Sequence, residues 1–131
     1  MTNADDDPRG HEIRVTRLYA DEKGVSHFGE ERLTTAPADF APPAPPIDVT
    51  APRAARRTLF LNMPAGWYGE PHPAPAEQLM IVMVGRVEVG TGDDETRVFG
   101  VGDAVLVQDT TGGGHSTRIL EQDVVIAVAQ Y

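Results

Sequence analysis

The chain has 131 residues, 40% of them hydrophobic, enough for one domain with a core. It has no Cys, which excludes disulfides, thiolate metal sites and Cys nucleophiles, and its formal net charge of −9 argues against nucleic acid and anionic membranes as partners. The 13 Gly and 11 Pro are too many for a helical bundle and point to a turn-rich, all-β domain.

In chain order, residues 1–10 carry Asp5, Asp6 and Asp7 without a basic or apolar leader pattern, so they are expected to form a disordered acidic tail. The spacing of the carboxylates is not that of a calcium loop. A cytoplasmic location is expected, because the longest apolar run, Leu79 to Val84, is far short of the roughly 20 residues that span a bilayer. Residues 11–56 read as an N-terminal hairpin and a Pro-rich strap. Ile13, Val15 and Leu18 lie among polar residues as in a half-buried strand, Asp21 to Gly24 reads as a turn, and Val25 to Thr35 as the return. His11 and His27 on this hairpin are expected to be solvated. Pro37, Pro42, Pro43, Pro45, Pro46 and Pro52 make an extended, semi-rigid segment, expected to lie over the barrel.

Residues 57–131 read as the barrel itself. Arg57 to Met63 is a strand, and Pro64 to Pro75 a loop. Glu77 to Val84 is apolar on both faces, as suits a central strand. Arg86 to Val89 and Glu95 to Phe99 flank a Gly-Asp hairpin turn. Ala104 to Gln108, Ser116 to Leu120 and Val124 to Ala129 complete the pattern, with a mobile rim loop expected over Asp109 to Gly114. Short strands at this regular spacing indicate a sandwich or barrel.

From Gly66 onward the sequence resembles the cupin superfamily. Five residues separate Gly66 from His72; Ala74 stands at the motif's second His position, Gln78 at its Glu position, and Gly85 closes it. A second motif follows in order: the Gly102-Asp103 turn, the strand Ala104 to Gln108, and His115 after a loop about two residues longer than the family pattern. Gln108 replaces the usual Pro, and Ile119 the usual Asn. The resemblance implies a cupin-type double-stranded β-helix, a jelly-roll barrel, and a homodimer in which N-terminal strands are exchanged. It also implies a small-molecule site at the barrel mouth.

Strand alternation places Gln78, Met80, Val82 and Val84 on one face, and Thr117 and Ile119 with His115, opposite Ser116 and Arg118. The expected catalytic set is His72, His115 and Gln78, with Trp67, Tyr68, Met80 and Thr117 binding substrate. The favoured chemistry is proton transfer, as in an isomerase or cyclase acting on a carbonyl-bearing metabolite. His72 and His115 would serve as acid and base, and Gln78 would orient the carbonyl. A metal-dependent oxygenase is the first alternative, with a divalent ion on His72, Gln78 and His115 and with Glu70 able to swing in from the loop. Such a set has no anionic ligand, and Ala74 deletes a donor. A non-catalytic binding module is the second alternative, since fold does not decide function.

Overall fold

The computed structural model describes residues 12–131. The tail over 1–10 and His11 lie outside the described residues. Eleven strands run in chain order: β1 (Glu12–Ala20), β2 (Ser26–Ala38), β3 (Ile47–Thr50), β4 (Arg57–Met63), β5 (Tyr68–His72), β6 (Gln78–Val84), β7 (Val87–Gly90), β8 (Thr96–Phe99), β9 (Ala104–Val107), β10 (His115–Ile119) and β11 (Val124–Gln130). They form two sheets, a seven-stranded one in the order β3-β2-β1-β9-β6-β11-β4 and a four-stranded one in the order β5-β10-β7-β8. Among the described strand pairs only β1–β9 is parallel. This all-β, two-sheet barrel is the jelly-roll fold that the resemblance implies.

The inner faces follow from alternation. In β11, Val124, Ile126, Val128 and Gln130 are buried, while the residues between them are half-buried. Leu18, Val82, Val105 and Val107 from the large sheet meet Val87, Phe99 and Ile119 from the small one, and together they form the core. Burying one such aliphatic side chain is worth about 1.5–3 kcal/mol relative to leaving it in water. β6 sits between β9 and β11, as its two apolar faces suggest. Its outer residues Ile81 and Met83, and Phe60 of β4, are exposed.

Three segments differ from the sequence expectation. The Pro64 to Pro75 loop contains β5, an edge strand, where Pro71 costs no ladder bond. The Pro-rich segment does not run wholly over the barrel. Its Ile47–Thr50 part pairs with β2 at the sheet edge, and only residues beyond it cross the rim, where Arg53 binds Glu77 and stacks on Tyr131. The Asp109 to Gly114 loop is held rather than mobile. The Gly113 N–H donates to Gly24 O at 3.1 Å, and the Ser26 hydroxyl donates to Gly114 O at 2.8 Å. The backbones of Gly112 and Gly24 touch, as do those of Gly114 and His72, so closely that a Cβ at either glycine would overlap its neighbour. Both glycines also have positive φ, 79° and 71°.

His27 keeps contact with solvent and is also bonded. Its Nε2 lies 2.7 Å from Asp21 and its Nδ1 3.0 Å from Asp93, tying the β1–β2 turn to the β7–β8 turn. The hydrogen bond to Asp21, then the one to Asp93, raises the imidazole above its ordinary 6.5. The His27 hydrogen bond, helped by the Val25 N–H, lowers Asp21 from 3.8 to about 2. Stability linked to His27 is full below its ordinary 6.5 and lost as pH rises through the raised value. Stability linked to Asp21 is full above 3.8 and lost as pH falls toward 2.

Two predictions follow from these contacts. His27→Gln should lower the melting temperature at about pH 5 and lose most of that effect at about pH 9; an equal loss at both would remove the charge from the account. Gly114→Ala should cost at least ~2 kcal/mol in urea unfolding, because strained φ and overlap with the His72 carbonyl add. Gly113→Ala, whose Cβ would meet only Gly24 O at 3.9 Å, should stay within about 0.5 kcal/mol. Equal effects of the two changes would contradict the packed loop.

Candidate functional site

The two sheets enclose a cavity of about 380 Å³. Its interior is apolar, with Leu59, Leu61, Met80, Val82, Phe99, Val107, Ile126 and Val128 among the lining residues. Polar lining groups are few: Arg57, His72, Gln78, His115, Thr117 and Gln130, with Trp67 beside them. An apolar chamber with a small set of converging polar groups is the usual form of a small-molecule site.

The polar groups fall into two rows, one on each sheet. On the large sheet, the β4–β11 register sets Arg57 opposite Gln130, and the β11–β6 register sets Gln130 opposite Gln78. Their side chains continue that row. Arg57 Nε and Nη2 donate to Gln130 Oε1 at 2.8 and 2.6 Å, and Gln130 Nε2 donates to Gln78 Oε1 at 2.9 Å. Gln78 and Gln130 are buried at the ends of otherwise apolar inward faces. With its oxygen used by Gln130, Gln78 turns its amide N–H group toward Met80 Sδ, 3.7 Å away. Gln78 thus presents its amide N–H group to the cavity.

On the small sheet, β5 and β10 set His72 opposite His115 and Gly69 opposite Thr117. The register shifts between these pairs because β5 carries one extra residue there, a bulge. The bulge brings Gly69 and His72 to the cavity side and lets His72 Nδ1 donate to the Glu70 carbonyl at 2.6 Å. Gly69 leaves room for the Trp67 ring, whose edge would meet a Cβ there. The rings of His72 and His115 have centroids 5.1 Å apart and planes at 46°.

Asp109 stands behind His115. The His115 Nδ1–H donates to Asp109 Oδ2 at 2.6 Å, and the carboxylate is fully buried. Asp109 Oδ1 has no hydrogen-bond partner among the described residues. A buried carboxylate is costly unless paired, so the imidazole is its compensation. With each Nδ1 engaged as a donor, each ring presents Nε2 as the group free for chemistry.

The structure gathers most of the expected residues. His72, His115, Gln78, Met80, Thr117 and Trp67 line the cavity. Tyr68 does not: it points outward, 46% exposed, under the Arg118 guanidinium at 4.6 Å. It begins β5 directly after Trp67, and the two side chains point to opposite sides. Glu70 is also outside the lining, on the bulge. Val84 is exposed at the far end of β6, although it shares parity with Gln78. Asp109, Arg57 and Gln130 were missed. Asp109 is the first residue of a Gly-rich loop and carries no periodic signal, while Gln130 could have been found as the next inward position after Val124, Ile126 and Val128.

The expected metal set does not fit this geometry. A catalytic site of this kind needs three protein ligands. Among the described residues no group of three or more His, Cys, Asp or Glu is clustered to hold an ion. Gln78 Oε1 already accepts from Gln130. Anchoring both Nδ1 atoms is how metal-binding imidazoles are held, but two nitrogen donors remain without a third. Among the described residues, no helix is long and apolar enough to cross a membrane.

No protein-family model matches the chain, and no curated protein does. Solved structures similar to it include the putative ethanolamine utilization protein Q of Salmonella typhimurium, at 14% identity over 93% of this chain and 98% of that one, with a TM-score of 0.46. The cupin domain of Schizosaccharomyces pombe Cnp3 is similar at 16% identity over 92% and 85%, TM-score 0.45. A conserved protein of unknown function from Streptococcus pyogenes is similar at 17% over 62% and 68%, TM-score 0.45. In its motif spacing and in its two-sheet barrel, the chain resembles the cupin superfamily.

Proposed function

We propose that the protein is a small-molecule enzyme that moves a proton on a carbonyl-bearing substrate, with His115 and His72 as the acid–base pair. The observation that carries this reading is the buried Asp109–His115 hydrogen bond with the His72 ring 5.1 Å away, all at the mouth of an apolar cavity.

His115 Nε2 takes the proton from the carbon beside the carbonyl. The electrons of the broken C–H bond form a C=C bond, and the carbonyl π pair moves onto oxygen as an enolate. Gln78 Nε2 donates a hydrogen bond to that oxygen, where the negative charge develops. The imidazolium formed on His115 lies against the Asp109 carboxylate, which stabilises it and holds the ring orientation. His72, on the open side of the mouth, enters the step as an imidazolium and gives its Nε2 proton to another position of the enolate. His115 then releases the proton it took to water, and His72 takes one up from water, so both rings return to their starting forms. The sum is a redox-neutral isomerisation, and the apolar lining keeps bulk water from the enolate.

The test is proton exchange in heavy water. A panel of ketones and oxo acids is incubated with the protein, and deuterium at the carbon beside the carbonyl is followed by NMR. Wild-type protein should label at least one of them, and His115→Ala or His72→Ala should slow that labelling by about 10²–10⁴-fold. Unchanged labelling in both variants would overturn the assignment. Tight binding of the same compound without exchange would indicate the non-catalytic module instead.

Asp109 acts through His115 as a positioning residue. Asp109→Asn keeps the shape but presents an amide to Nδ1, so the His115 Nδ1 proton, visible by imidazole NMR in wild type, should lose its downfield position. Exchange should fall while ligand affinity holds. A variant that keeps both the proton signal and the rate would show that Asp109 has only a packing role.

A further inference from the structure

We infer that the cavity's ligand is a monocarboxylate with an apolar body, its carboxylate held by Arg57 at the mouth. The inference rests on the reading of this cavity as the ligand site and adds the class of molecule that fills it.

The first observation is charge. Acids outnumber bases in the chain by 20 to 11, yet among the described residues no Asp or Glu lines the cavity and Arg57 is its one Lys or Arg. The sign of the lining is opposite to that of the protein as a whole. The acidic exterior gives a diffusing anion no general attraction, so the preference is local and comes from one side chain.

The second observation is how Arg57 is held. Arg53, Arg86 and Arg97 each carry a Glu partner. Arg57 has no carboxylate partner among the described residues; two of its N–H groups go to the amide oxygen of Gln130. A guanidinium has five N–H donors, so three remain. Gln130 is itself buried and fixed by Gln78, and it orients the guanidinium without neutralising it. A planar cation with free N–H groups in a fixed plane matches the two oxygens of a carboxylate. A phosphate dianion would need further cations that the lining does not offer.

The third observation is the row itself. Arg57, Gln130 and Gln78 stand on three neighbouring strands about 4.8 Å apart. A carboxylate at Arg57 therefore sets the rest of the molecule along the row, toward the Gln78 amide and the two imidazoles. Leu59, Leu61 and Val128 receive its apolar body below.

The experiment uses three probes with one apolar body and different heads: phenylbutyrate, phenylbutanol and phenylbutylamine. Binding is read from the fluorescence of Trp67, the chain's single Trp, which lines the cavity, and is checked by calorimetry. Phenylbutyrate should bind about tenfold or more tighter than the alcohol or the amine. Arg57→Gln should erase that preference while leaving alcohol affinity intact, which also shows that the variant is folded. Arg57→Lys should keep part of it, and His72→Ala all of it. Equal affinity for the three heads, a preference that survives Arg57→Gln, or no binding by any probe would overturn the inference. Carboxylate preference with no proton exchange on any compound leaves this inference standing and removes the catalytic one; exchange confined to neutral ketones does the reverse.

Discussion

The closure of the barrel mouth depends on one close contact, the packing of the Asp109–Gly114 loop against the Gly24 turn and the His72 carbonyl. This loop carries the chain from β9 in the large sheet to β10 in the small one. Its glycines let two backbones meet where a Cβ would not fit. The Ala74 N–H donates to Asp109 O at 2.9 Å, and the Ser26 hydroxyl donates to Gly114 O, so the loop is anchored at both ends. What the contact fixes is chemical: Asp109 is buried behind His115, and His72 is set across from it. The His27 clip between two neighbouring turns braces the same end of the barrel.

Below that closure the polarity is divided cleanly. The inward faces of β6 and β11 are apolar except at one end, where Gln78 begins β6 and Gln130 closes β11. Two buried amides with open hydrogen-bond capacity would be costly. They satisfy each other in a line from Arg57 to Gln78, and the line leaves N–H donors directed at the cavity. The opposite wall offers imidazole nitrogens. Donors on one wall and imidazoles on the other are the arrangement on which the proposed proton transfer rests, and the same division offers few ligands to a metal ion.

Much of the fold was legible because alternation and turn chemistry are local. The strands from Arg57 to Met63 and from Val124 onward, the hairpin at the start, and the central position of Leu79 to Val84 all follow from neighbouring residues. The cupin spacing from Gly66 to Gly85 and on to His115 brought His72, Gln78 and His115 to one place. β5 was not legible: Tyr68, Gly69, Glu70, Pro71 and His72 show no alternation, and a bulge breaks their parity. The outward turn of Tyr68 has the same origin. Arg57 escaped notice because a single Arg at a strand start looks like any exposed cation.

The sequence by itself determined the all-β class, the absence of thiol chemistry, the two histidines at the mouth and the polar residue that interrupts the β6 face. These are properties of residue type and spacing along the chain. The tertiary structure alone decided that Asp109 backs His115, that Gln78 presents its amide N–H group to the cavity, that the glycine loop is packed, and that Arg57 is the cation of the cavity. Each of these rests on pairs far apart in sequence, such as Gln78 with Gln130 or Gly114 with His72. Their partners are set by strand order and register, which no local pattern encodes.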